Sequence, residues 1–187
     1  MSPEEEALLT VVRQLDSLGV PYMVTGSLAS SHHGRPRATH DADLVIEPTP
    51  ESLDGLVRGL AEAGFYVDAA GAREALRLER QFNVVEMRSA CKIDLIIRKD
   101  RPFSQEEFRR RRETELMEGV RVVLATPEDT ILSKLEWARK SGESEKQLYD
   151  VAGIIGVTTD LDREYIARWA KDLGVLDLWE TVTQGRP

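Results

Sequence analysis

Hydrophobic positions along this chain recur with two different periods, and the change of period divides it. In PEEEALLTVVRQLDSLG, Leu8, Val12, Leu15 and Leu18 fall three or four residues apart, the spacing of one helix face. Acids fill the first turn and Gly19 follows the end, so an amphipathic helix is expected. PYMVTG reads as a short apolar strand stopped by Gly26, SLASSHHG as a short helix closed by Gly34, and ADLVIEP as a strand ended by Pro48. Thr49 as cap with Pro50 behind it opens a second helix over TPESLDGLVRGLAEAG. FYVDAAG predicts a brief strand or turn, and residues 72–80 are helical in propensity but polar. FNVVEMR and CKIDLIIR predict the two strands of a hairpin, SQEEFRRRRETELM a helix or a helix in part, and VRVVLA a strand.

From residue 126 onward the strand signal disappears. TPEDTILSKLEWARKSG, EKQLYDVAGIIG and DREYIARWAKDLG all repeat at helical spacing. The pattern predicts an α/β domain with a mixed sheet over residues 1–125 and a helical subdomain over residues 126–187.

Composition narrows the class. A chain of 187 residues can bury roughly 70% of its unfolded surface, so it needs no disulfide or metal staple to fold. The single cysteine, Cys91, excludes an intrachain disulfide and is expected to be a small buried hydrophobe, in keeping with a reducing compartment. No apolar run approaches the roughly 18 residues that span a bilayer. The acidic start, MSPEEEALL, lacks the basic region of a secretion signal. A cytoplasmic protein with no membrane partner is expected. The net charge of -8 argues against a protein that coats nucleic acid, because counterion release requires many basic contacts. It leaves room for a small basic patch aimed at one substrate.

The candidate chemistry begins at HDADLVI. Asp41 and Asp43 stand two apart at the start of a strand, so their side chains share a face. Two close carboxylates repel and raise one another's pKa unless a cation intervenes. Magnesium takes oxygen ligands of this kind together with substrate phosphates. A solvated turn before the strand is the plainer alternative. Three neighbours favour the cation. Gly26-Ser27 ends a strand and opens a helix, offering backbone N–H groups and a hydroxyl to an anion. Asp94 is embedded among apolar residues in KIDLIIR, where an acid is costly without a partner. If its strand lies beside that of Asp43, the spacing of about 4.8 Å gathers all three acids, and three carboxylates can hold two metal ions. Basic groups, Arg35, Arg37 and Lys134, complete the set.

Other features carry plainer readings. Lys134 could be a solvated helix lysine beside Glu136, and Asp150 could pair with Lys146 one turn away. His32, His33 and His40 match no zinc spacing and read as loop polarity. Arg109–Arg112 could touch a tRNA, but such a run is more often a solvated helix face. Trp137, Trp169 and Trp179 read as core of the helical part.

VTGSLASSHHGRPRATHDADLVI followed by KIDLII resembles the nucleotidyltransferase superfamily with the DNA polymerase β type of catalytic fold. Thirteen residues separate Ser27 from Asp41, within that family's longer gap. Arg37 and Thr39 ahead of the acid pair, with Lys134 and Asp150 downstream, make the chain most similar to the AbiEii/AbiGii-type bacterial nucleotidyltransferases. Family members usually carry a longer C-terminal region than this sequence. The resemblance implies transfer of a nucleoside monophosphate from an NTP to a hydroxyl of RNA (tRNA among them), protein or a small molecule. It implies two Mg²⁺ ions on Asp41, Asp43 and Asp94, and nucleotide contacts from Gly26, Ser27, Arg37, Thr39, Lys134 and Asp150. A toxin–antitoxin or phage-defence role, with a cognate antitoxin, follows from the same resemblance. The alternative is a catalytically inactive nucleotide- or partner-binding module of the same fold.

Overall fold

A computed structural model describes residues 2–36, 41–117, 119–142 and 144–185. The chain opens with α1 (Pro3–Ser17), whose capping box joins Ser2 and Glu5. Then follow β1 (Tyr22–Thr25), α2 (Gly26–His33), β2 (Asp41–Ile46), α3 (Pro50–Glu62), β3 (Phe65–Val67), α4 (Ala69–Leu78), β4 (Gln81–Glu86) and β5 (Lys92–Ile97). The rest comprises α5 (Pro102–Arg110), β6 (Arg112–Met117), β7 (Val120–Leu124), α6 (Pro127–Lys140), α7 (Glu145–Val157), α8 (Arg163–Asp172) and α9 (Leu176–Thr183).

The strands form one mixed sheet in the order β3-β4-β5-β2-β1-β7-β6. β2 pairs antiparallel with β1 and parallel with β5. Parity then decides which side chains meet. Leu44 and Ile46 of β2, with Ile93, Leu95 and Ile97 of β5, turn to a face covered by Leu8, Leu15, Leu53, Leu56 and Leu60 of α1 and α3. Val45 and Ile96 turn to the other face and join Met23, Phe108 and Ala125. Asp41, Asp43 and Asp94 have the parity of Val45 and Ile96, so they lie on this second face. A separate apolar cluster joins α6 to α9 around Ile131, Leu135, Ile154 and Ile166, with Phe103 of α5 inserted into it.

Three expectations change. The helix read through Met117 ends at Arg110, and RETELM is instead β6, paired antiparallel with β7. Helix-favouring Glu and Leu yield there to the ladder that β7 offers, a tertiary override of local preference. Residues 72–78 are settled as part of helix α4, which Asp68 caps by accepting from the Ala70 N–H and a left-handed Glu79 ends. Trp137 is not core: it is 58% exposed, whereas Trp179 is buried. Among the described residues no helix is long and apolar enough to cross a membrane.

Candidate active site

β2 and β5 run parallel with Asp43 directly opposite Asp94 and Asp41 opposite Lys92. β1 places Thr25 opposite Asp43 on the other side. The three acids therefore share one sheet face beside the point where β1 gives way to α2. Gly26 makes that turn possible. Its φ is +64°, and a Cβ there would lie 2.0 Å from Asp43 Oδ2 and 2.9 Å from Asp43 Cβ. Only a residue without a side chain lets the β1–α2 turn press against this carboxylate.

Asp43 is under pressure to stay neutral. Burial raises its pKa, Asp94 and Asp41 raise it further, and Lys134 together with the Ser27 backbone N–H pulls it back. Asp94 carries a nearer counter-charge, since Lys92 Nζ lies 2.9 Å from its Oδ2. Lys92 and Asp94 stand two apart on one strand, so same-face geometry delivers this ion pair without any loop. Among the described residues, no three His, Cys, Asp or Glu side chains are close enough to hold a metal ion as they stand. The donor chemistry nonetheless suits a hard divalent cation. Three carboxylates share a face, one is destabilised as an anion, and the competing Lys92 has a side chain 40% exposed to solvent.

Lys134 and Asp150 are both buried, and Lys134 Nζ donates to Asp150 Oδ2 at 2.7 Å. Ser30 Oγ of α2 donates to the same oxygen at 3.2 Å and to the Ser27 carbonyl at 3.1 Å. One carboxylate thus ties α6 and α7 to the Gly-Ser turn. The solvated-lysine reading of Lys134 fails, and so does the pairing of Asp150 with Lys146. Glycines bring the helices close enough. A Cβ on Gly34 would meet Ile154 N at 2.8 Å, and one on Gly153 would meet Arg35 N at 3.4 Å.

Arg37 and Thr39, expected to contact nucleotide, lie outside the described residues, as does His40. His33 Nε2 approaches the Ala125 carbonyl at 2.7 Å, so its loop-polarity reading gives way to a tether between α2 and the residue that follows β7. The arginine run is largely committed within the protein. Arg109 binds Glu106, Arg110 reaches Glu128 and Asp129 and stacks 4.0 Å over Tyr165, and Arg111 covers Phe108.

A cavity of about 220 Å³ opens on Asp43, lined by Val45 and Ile96 from the sheet, by Arg101 just ahead of α5, and by Glu107, Ser133 and Trp137 from α5 and α6. Arg101 grips Glu136 through two bonds of 2.5 and 2.6 Å. Burial alone would raise the Glu136 carboxyl, but Arg101 and Lys140 hold it down to about 2. Among the described residues Glu107 forms no such ion pair, and Arg101 acts on it only from a distance. Burial pushes it up to about 7, against the Ser133 hydroxyl bond. The sequence reading missed Glu107, Lys92 and Trp137. For Lys92 the signal was present, two residues before Asp94; for Trp137 it lay in the 130, 134, 137 spacing that groups it with Lys134.

The family model described as "Nucleotidyl transferase AbiEii toxin, Type IV TA system" matches residues 23–175. The chain belongs to this family and is a nucleotidyltransferase. No curated protein sequence matches it. Solved structures share the fold. An antigenic nucleotidyltransferase-like protein from Paracoccidioides brasiliensis is 20% identical, covering 100% of this chain and 91% of that one, with a TM-score of 0.61. The lincosamide antibiotic adenylyltransferase LnuA, solved with lincomycin, is 12% identical over 82% of this chain and 98% of that one, with a TM-score of 0.57. ANT(2'')-Ia in complex with adenylyl-2''-tobramycin is 14% identical over 96% and 98%, with a TM-score of 0.56.

Proposed function

We propose that this chain moves a nucleoside monophosphate from an NTP to an acceptor hydroxyl, with Asp41, Asp43 and Asp94 as the reacting-centre acids. The observation that carries the reading is the Asp43–Asp94 register beside Gly26, a close approach that folding alone does not require. The three carboxylates would hold Mg²⁺, two ions with the triphosphate, which when bound lower the pKa of the attacking oxygen and offset charge on the leaving one.

The chain's own residues do the rest. Gly26 and Ser27 offer N–H and hydroxyl donors to the β and γ phosphates at the start of α2. Lys134 neutralises the departing pyrophosphate, and Asp150 positions its ammonium through the buried pair. Asp94 accepts the acceptor's hydroxyl proton as that oxygen bonds to the α-phosphorus and the bond to pyrophosphate breaks. Residues 126–187 act as a helical subdomain that carries Lys134 and Asp150. Arg37 and Thr39 contact the nucleotide ahead of the acid pair.

The acceptor is an RNA, a protein or a small molecule. The lincosamide and aminoglycoside enzymes lend weight to the last, and the family's description to a toxin with a cognate antitoxin. Incubation with each α-³²P-labelled NTP, Mg²⁺ and separate pools of RNA, protein and small metabolites tests the proposal. One pool becomes labelled by the wild type and not by Asp43→Asn. A folded wild-type protein that labels nothing, or an Asp43→Asn variant that labels equally, contradicts it.

A further inference from the structure

We propose that the cavity between α5 and α6 is a nucleobase pocket, where the ring of the NTP stacks on Trp137 and its amino edge donates to Glu107. The inference rests on the nucleotidyl-transfer reading and deepens it by naming what selects the base.

The cavity touches Gly26, Asp43 and Lys134, and its floor follows β2 and β5 from Asp43 to Ile97 and on to Lys99. In register, Asp94 to Ile97 is three residues of strand, roughly 10 Å at 3.3 Å per residue. A nucleotide anchored by its phosphates at Gly26 and Lys134 carries its base along that length. Trp137 stands one turn beyond Lys134 on the same face of α6 and leaves 58% of its surface bare. A large aromatic side chain exposed on a cavity wall offers a stacking platform that any base can use.

Glu107 supplies discrimination. It is 8% exposed, and one oxygen accepts from Ser133 Oγ at 2.9 Å. Arg101, the cation whose charge acts on Glu107, is committed to Glu136 and to Ser104. A buried carboxyl without a dedicated cation is a cost that the N–H donors of an exocyclic amine would offset. Arg98, Lys99, Arg101, Lys134 and Lys140 line the cavity against Asp43, Glu107 and Glu136, so its balance of charge favours an anionic ligand bearing a base over a cationic amine. Adenine, guanine and cytosine carry an exocyclic amine to donate; uracil does not.

Equilibrium dialysis of the full chain against ATP, GTP, CTP, UTP and ribose 5-triphosphate, which lacks a base, tests the pocket. Circular dichroism checks the fold of each variant. Trp137→Leu is expected to weaken all four NTPs by about tenfold and to leave ribose triphosphate unchanged. Glu107→Gln is expected to cut the advantage of the amino-bearing NTPs over UTP by about tenfold. NTP binding unaltered by either substitution, or no stronger than that of ribose triphosphate, overturns the pocket while leaving nucleotidyl transfer standing. Failure of the wild type to bind any triphosphate overturns both.

Discussion

Gly26 concentrates two constraints on one backbone position. A left-handed φ costs a non-glycine residue about 1–2 kcal/mol, and the Cβ would also displace Asp43. Gly26→Ala should therefore lower stability only modestly, in urea unfolding, while activity falls on the order of 100-fold, as expected when a reacting group is moved by an ångström. An activity loss no larger than the stability loss explains would contradict a positional role for the turn. Glu107 yields a second prediction. Its folded pKa of about 7 lies above the ordinary 4.5, so the folded state keeps a proton that the unfolded chain has released. Its contribution is full below pH 4.5 and is lost as pH rises through about 7. The loss amounts to about 3 kcal/mol across that window. Glu107→Gln should flatten the fall in stability between those pH values; an unchanged slope would place the effect on other groups.

Among the elements, α6 connects sheet and helices. Thr126 caps it and accepts from Asp129 N, while Asp129 Oδ1 accepts from Tyr165 of α8 at 2.5 Å. Lys134 on the same helix reaches Asp150 of α7. Removing one member of a buried ion pair strands the other, at a cost of about 3–5 kcal/mol, whereas replacing both by apolar groups is far milder. Lys134→Met should thus destabilise strongly, and the double variant with Asp150→Leu should regain most of that stability yet stay inactive. Additive destabilisation would show that the pair does not act as a unit. β6 marks the limit of reading elements singly. RETELM has helix-forming residues, and only the partner strand β7, across a turn at Gly119, makes it a strand.

Viewed whole, the molecule uses one sheet face for packing against α1 and α3 and the other for chemistry. Much of that was legible because strand parity fixes faces: DADLVI and KIDLII each alternate so that acids and Val45 or Ile96 separate from Leu44 and Leu95. The mixed α/β fold and the acid positions could be read from the sequence for this reason. Glu107 and Trp137 could not, because their environment comes from α5 docking beside α6, a contact that no local period encodes. The acid cluster also makes a prediction for the folded state as a whole. Ligands that bind only the folded state stabilise it, so Mg²⁺ with NTP should raise the melting temperature by a few degrees in wild type and less in Asp43→Asn. Equal shifts would argue that Asp43 holds neither.

Everything at the three scales converges on transfer of the α-phosphoryl nucleotide rather than the γ-phosphate. The direct measurement supplies the same NTP labelled with ³²P at either the α or the γ position and follows label into the acceptor pool. The account predicts incorporation from the α-labelled NTP alone, with the γ label leaving in pyrophosphate. Incorporation from the γ-labelled NTP would contradict it.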